Sequence, residues 1–433
     1  MMMRTTTGGI GCLLVGLGIL NPRPCPAADA SGGAFSLFSP AFSGIGTNSL
    51  ADVAVRFSGG IIGGASLDPD IVHKGNPAAK AYRYQLGPYV QIKHVPKKLV
   101  PKLNPFFAEA GTAKELIAES ALVLQGLGDP QPGMVNWPRQ FPPYPLVVPD
   151  DPGWLVFLDA TLPKTLAHFD GLFLDSMGTT PVVTRYLVAK PINPKTHKPY
   201  TIREWQAAEM VMLDHVNKLL KPGQTLLMQG LVNGETFFGP DSLRPLLAKC
   251  DGGMAESIYR GPQTGADQFP APETWLKEVR MIAEVEAQGK AGYYWTKNWV
   301  EQTEAQRTQW LRYTLCSHLL GAGMHSYFNY DSHNEPVPKG RGNNANAAEY
   351  YPEYDQAKQL GKATAPMSQV RDTGVYRRPW ENGWVYVNPT AAAVRIQVEG
   401  TFGDLDGQPV SGSLILPVHS GQILVRNQAG RSD

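Results

Sequence analysis

Several apolar runs in this chain stop at a lone carboxylate. Residues 171–174 read Gly-Leu-Phe-Leu and end on Asp175. The runs at 154–158, 225–231, 252–255 and 324–330 lead in the same way to Asp159, Glu235, Glu256 and Asp331. Short continuous apolar runs are the strands of sheets covered on both faces. A carboxylate at the end of such a strand does nothing for a core, but at the mouth of a barrel it is placed for chemistry. Hydrolysis of a glycosidic bond needs two: a carboxyl of raised pKa to protonate the leaving oxygen, and an ionised one as nucleophile or base. Tyr294 and Trp295, in a further run at 291–297, and Tyr327 and Tyr330 stand at the same strand ends, where rings either stack on sugar faces or fill the core. Trp295, Tyr327, Asp159 and Asp331 are candidate substrate contacts. Arg56 and Lys297 are candidates to hold a carboxylate charge or a substrate oxygen.

The elements that must position these residues alternate. Strands are expected at 54–58 (AVRFS), 81–89, 154–159 (WLVFLD), 171–175, 225–231, 252–257, 291–297 and 324–330. Gly59, Gly60, Gly63 and Gly64 read as a turn after the first. Helical spacing is predicted over 108–125, 163–168, 201–221, 241–249, 272–288 and 303–320. Two of these helices open with capping boxes, Thr201 with Glu204 and Thr303 with Gln306. The proline-rich stretch 128–153 cannot be helical and is read as a long loop carrying Trp137, Phe141 and Tyr144. Eight strands with helices between most of them predict an α/β fold, a (β/α)8 TIM barrel over 51–365. A doubly wound open sheet is the alternative, but no Gly-x-Gly-x-x-Gly run follows a strand, so a dinucleotide site is not supported. After about 370 the runs become short and are split by Asn-Pro and Gly turns. This predicts a small C-terminal antiparallel β domain, sandwich-like, over 370–433.

The first 30 residues, whose only charges are Arg4, Arg23 and Asp29, order Arg4, an apolar run at 8–20 and the small-x-small triplet Ala28-Asp29-Ala30. This predicts a signal peptide over 1–30, cleaved after Ala30, and a secreted or periplasmic mature chain without a membrane span. Residues 31–50 are read as a linker. Beyond residue 30 the balance is 37 basic against 37 acidic residues, which argues against nucleic acid or an anionic membrane as the main partner. Cys12 and Cys25 would leave with the signal, and Cys250 and Cys316 are read as two buried free thiols. His325 and His333 flank Asp331 at a spacing that matches no ligand pattern, so neither metal nor cofactor is called for. The short basic pairs Lys97-Lys98 and Arg377-Arg378 are read as solvated.

FDGLFLDSMG at 169–178 resembles the fourth-strand signature of retaining barrel glycosidases. LLMQGLVNG, with CDGGMAES after it, resembles strands five and six of a family of hypothetical barrel glycosyl hydrolases. That family is distantly related to α-galactosidases and endo-polygalactosaminidases. VYRRPWENGWVYVNPT and HSGQILV resemble the β domain that follows those barrels. The likeness spans most of 153–426. It implies an exported glycoside hydrolase acting on a polysaccharide or oligosaccharide, with Asp175 as nucleophile and Glu256 as acid/base. Glu235 stays open as the acid, since in other barrel glycosidases the acid follows the fifth strand. A non-catalytic carbohydrate-binding barrel and a metal-dependent barrel hydrolase are the alternatives.

Overall fold

A computed structural model describes residues 35–88, 144–179, 182, 191–332 and 347–426, with the extended pairs Glu109–Ala110 and Met134–Val135. The expected signal peptide, Cys12, Cys25, Lys97-Lys98, Trp137, Phe141 and His333 lie outside these residues. Of the helix expected over 108–125, the described part is Glu109–Ala110, which is extended and pairs with Pro191–Asn193.

Eight parallel strands close into a barrel. They are β1 (Ser36–Ser39), β2 (Gly60–Gly63), β3 (Ala81–Leu86), β4 (Gly171–Asp175), β5 (Thr225–Gln229), β6 (Gly252–Glu256), β7 (Ala291–Asn298) and β8 (Ser326–Ser332). β8 pairs with β1, so the sheet has no free edge. The predicted strands from the fourth onward stand where the sequence put them. Of the first three, 81–89 stands as β3 (Ala81–Leu86), and the other two are corrected.

Residues 54–58, expected to be the first strand, belong to the end of helix α1 (Leu50–Arg56) and the turn after it, and Ser49 caps that helix from Asp52 N. The true first strand, SLFS, lies inside the stretch read as a linker. The glycine turn is β2. Its missing side chains are room for the barrel's aromatic interior: a Cβ on Gly59 would stand 2.2 Å from the Tyr327 ring, and one on Gly60 2.8 Å from Tyr82. Tyr82, Tyr293 and Tyr327 fill that space, with Tyr293 and Tyr327 stacked at 4.7 Å.

WLVFLD is not a strand either. Asp151 caps helix α2 (Pro152–Thr165) by accepting from Gly153 N and Trp154 N, and Pro152 stands in its first turn. Trp154, Leu158 and Leu162 recur every four residues on its buried face. The helix expected at 163–168 is the tail of this one.

The later helices follow the sequence. Thr201 and Thr303 close both expected capping boxes, on α3 (Ile202–Leu219) and α6 (Glu304–Gly321). Between them lie the short helix α4 (Gly234–Phe238) and the long helix α5 (Pro272–Ala287). No helix among the described residues is long and apolar enough to cross a membrane.

A six-stranded antiparallel sheet follows the barrel. It runs β9 (Ser368–Gln369), β10 (Tyr376–Trp380), β11 (Gly383–Asn388), β12 (Val394–Gly403), β13 (Pro409–Leu416) and β14 (Ser420–Arg426). It is one sheet, not two. Its alternation sends Val385, Val387 and Ile423 into the barrel's core and Tyr386, Leu424 and Ile396 into a small core of its own. α6 lies between barrel and sheet, which is why Trp310, Leu311 and Tyr313 through Gly321 are all buried. Gly421 permits the approach, since a Cβ there would stand 2.4 Å from the Arg312 carbonyl. Arg312 forks onto Asp406 at 2.7 and 2.9 Å, and Arg378 donates to the Leu319 and Ala322 carbonyls at the end of α6. Arg378 is thus not a solvated surface charge. Cys250 and Cys316 are buried free thiols.

Candidate active site

Strand alternation decides which strand-end residues enter the lumen. In β4, β6, β7 and β8 the inward positions are the ones that carry Phe173, Met254, Tyr293 with Trp295, and Tyr327 in the aromatic interior. Counting onward by two reaches Asp175, Glu256, Lys297 and Asp331 at the C-terminal rim. Register places Lys297 directly beside Asp331, and Glu256 beside Trp295. Asp331 is fully buried and Lys297 3% exposed. Four ionisable groups from four strands therefore share one end of the barrel.

Each group is held by named neighbours. The Tyr84 hydroxyl of β3 donates to Asp175 Oδ2, and the Ser176 amide donates to Oδ1 at 2.6 Å. The Lys297 ammonium is ion-paired with Glu256 Oε1, and the Gln229 amide donates to Oε2 at 3.2 Å. The ammonium also sits over the Trp295 and Trp299 rings, 3.9 and 4.8 Å from their centroids. Such cation–π contacts contribute up to about 2 kcal/mol each when desolvated. Burial pushes the Asp175 carboxyl up, against the opposing pull of Tyr84, the Ser176 amide and the Lys297 charge. Burial lowers the Lys297 ammonium to about 7, although the charges of Asp331 and Asp175 oppose the shift.

The backbone is strained at the same rim. Ser176, Val232 and Ser257 follow β4, β5 and β6 with φ of 58°, 58° and 69°. Left-handed conformations in non-glycine residues cost about 1–3 kcal/mol each and gather at functional sites. The loop after β4 is further fixed by Glu209 of α3, which accepts from Gly178 N at 2.9 Å.

The other sequence candidates are placed elsewhere. Asp159 lies on α2, and its carboxylate meets His215 at 2.8 Å on the outer helix layer. Glu235 is exposed on α4, where it turns to Lys277 and Thr274 of α5, each at 3.4 Å. Arg56 ends α1, which runs back down the barrel wall, and its guanidinium lies 5.8 Å from the Tyr350 ring. Tyr327 belongs to the floor of the lumen, two inward positions below Asp331. Trp295 is fully buried beneath Lys297, so its ring supports the ammonium and faces no solvent. Tyr294 and Tyr330 point outward into the main core.

Three contributors escaped the sequence reading. Gln229 ends TLLMQ as Asp175 ends GLFLD, and the same strand-end signal would have found it had neutral residues been counted. Tyr84 was hidden by the misnumbered strand. Phe42, after β1, is half-buried and stacks on Tyr84 at 4.6 Å, with Phe173 and the Trp295 edge beside it. Among the described residues, no group of three or more His, Cys, Asp or Glu is arranged to hold a metal ion.

No protein-family profile matches the sequence, and no curated protein matches it. Solved structures do align. An α-amylase from Malbranchea cinnamomea is 11% identical with a TM-score of 0.49, covering 91% of this chain and 96% of that one. A GH36 α-galactosidase from Geobacillus stearothermophilus is 8% identical with a TM-score of 0.44, covering 91% of this chain and 56% of that one. Ega3 of Aspergillus fumigatus, solved in complex with galactosamine, is 9% identical with a TM-score of 0.38, covering 73% of this chain and 97% of that one.

Proposed function

We propose that this chain is an exported glycoside hydrolase that cleaves O-glycosidic bonds in a polysaccharide or oligosaccharide with retention of configuration. Asp175 attacks the anomeric carbon. Glu256 protonates the departing oxygen and then deprotonates the attacking water. Asp331 and Lys297 set the charge around the pair. The half-buried Phe42 offers a ring beside Tyr84 and Asp175 for an apolar sugar face. Export is part of the reading and rests on the order of charge, apolar run and small residues before Ser31.

The observation that carries the reading is the convergence of Asp175 and Glu256. They come from the fourth and sixth strands of one closed barrel, face inward at the same rim, and stand beside strained backbone. Support also comes from the different fate of Glu235, the rival acid, which turns to the outer helices. The test is a panel of polysaccharides with product analysis by NMR, which reads the anomer first released. Release of sugar by the wild type, with the starting anomer retained and with both Asp175→Asn and Glu256→Gln inactive, is the expected result. Binding without release, indifferent to Asp175→Asn, would mean a carbohydrate-holding barrel instead.

A further inference from the structure

A general acid must carry a proton when its cycle begins. Glu256 does not have one to give in this geometry. Its Oε1 accepts from an ammonium and its Oε2 from an amide N–H, so both oxygens are occupied as acceptors. A carboxyl ringed by donors, one of them cationic, is held as the carboxylate. The Gln229 amide has no proton it can release. Lys297 Nζ does, and it is already in hydrogen-bond contact with the carboxylate.

We propose that Lys297 is the proton store of the acid/base residue, holding in the resting enzyme the proton that Glu256 delivers to the glycosidic oxygen. The proposal rests on the reading of Asp175 and Glu256 given above. In the first half-reaction an Nζ–H bond breaks, its electron pair stays on nitrogen, and an Oε1–H bond forms on Glu256. Asp175 then bonds to the anomeric carbon while the C–O bond to the leaving group breaks. The departing oxygen keeps that pair and takes the proton from Glu256. In the second half-reaction water gives a proton to Glu256 as its oxygen bonds to the anomeric carbon. Asp175 leaves with its electron pair, and the proton returns to Nζ. One water is consumed and the enzyme is restored.

The surroundings suit this exchange. The charged groups facing Lys297 are Glu256 from β6, Asp331 from β8 and Asp175 from β4, the last with its Tyr84 partner from β3. Gln229 from β5 is neutral. Burial lowers the ammonium's hold on its proton to about 7, which brings it toward the carboxyl's range. A surface lysine would not release the proton at neutral pH.

Two substitutions separate this role from a structural one. Lys297→Arg keeps the charge and cannot give up its proton, so Glu256 stays locked as a carboxylate. Lys297→Met removes the charge, and the half-buried Glu256, relieved of its ion pair, then carries its own proton. On methyl glycosides of the sugar released in the panel, kcat/KM should fall about 100-fold or more in Lys297→Arg, the scale of lost general acid catalysis, and less in Lys297→Met. On the dinitrophenyl glycoside, whose leaving group needs no proton, most of the Lys297→Arg loss should disappear. A residue that only holds Glu256 in place predicts the reverse order, with Met worse than Arg and equal losses on both substrates. Either of those results overturns the proposal.

Should neither variant fold, the wild type alone can still overturn the proposal. Its kcat/KM on methyl glycosides should fall with an alkaline limb near pH 7, and on dinitrophenyl glycosides that limb should be absent. The same limb on both substrates, or on neither, sinks the idea. A wild type that cleaves nothing, or an active Asp175→Asn, instead refutes the underlying hydrolase reading.

Discussion

Two sets of carboxyls are wholly or partly buried in this barrel, one inside the rim and one under the helices. Asp175, Glu256 and Asp331 face the lumen and one another, with Lys297 among them. Glu209, Glu278 and Glu286 project from the outer helices, and each grips backbone. Glu209 accepts from Gly178 N and Glu278 from Gly234 N, both at 2.9 Å. Glu286 accepts from His325 N at 3.0 Å and from the Ser326 hydroxyl at 2.8 Å. Burial raises a pKa in each set: that of Asp175 in the inner one, and in the outer one those of Glu209, well above the usual carboxylate range, and Glu278, pushed up to about 8. A raised pKa therefore does not separate function from architecture here. What separates them is the partner. The outer carboxyls satisfy amides at the starts of loops and strands, while the inner ones are paired with a transferable proton and strained turns.

The largest effect should come from the inner set. Asp175→Asn and Glu256→Gln should each cost roughly 10²–10⁴-fold in kcat/KM with the folded state intact, measured as rates beside thermal melts. Comparable activity loss in Glu278→Gln would erase the distinction.

Next in size is Glu278→Ala, which strips the acceptor from Gly234 N. It should destabilise by about 1–3 kcal/mol in denaturant titrations while the activity per folded molecule stays unchanged.

Glu278 also gives a pH signature. Its folded pKa of about 8 exceeds the ordinary 4.5, so between those values the folded chain holds a proton that the unfolded chain has released. Stability from this group is whole below pH 4.5 and declines as pH rises toward 8, by at most about 1.4 kcal/mol per unit. Glu278→Gln keeps an acceptor and cannot ionise. Its melting temperature should gain on the wild type steadily from pH 5 to pH 8, and a constant difference would contradict the assignment.

The smallest effects belong to the exposed pairs. Asp159→Asn and Glu235→Gln should change stability by less than about 1 kcal/mol and leave the rate unaltered. A large rate loss in Glu235→Gln would return it to candidacy as the acid.

How much of this was legible depends on the part of the chain. From residue 171 onward the strands are continuous apolar runs, the helices carry capping boxes, and both signals survive without tertiary context. Before that point two strands were missed and one helix was taken for a strand, for three physical reasons. SLFS is too short to show a period. GIIG has traded its side chains for the rings of Tyr82 and Tyr327, so it looks like a turn. WLVFLD is apolar enough for a strand, yet its Asp-Pro opening and four-residue spacing are those of a helix. The eightfold count came out right because one false strand in α1 and another in α2 replaced two true ones.

By itself the sequence determined the barrel from its fourth strand, the β sheet after it, and the carboxylates at strand ends. Local patterning suffices for these, because period and capping are properties of neighbouring residues. Only the tertiary structure decided which of those residues meet. The register of β7 against β8 on one side and β6 on the other brings Lys297 to Asp331 and Glu256, across gaps in sequence that no local pattern spans. The same packing turned Asp159 and Glu235 outward, because a helix and a strand of equal hydrophobicity aim their end residues at different partners.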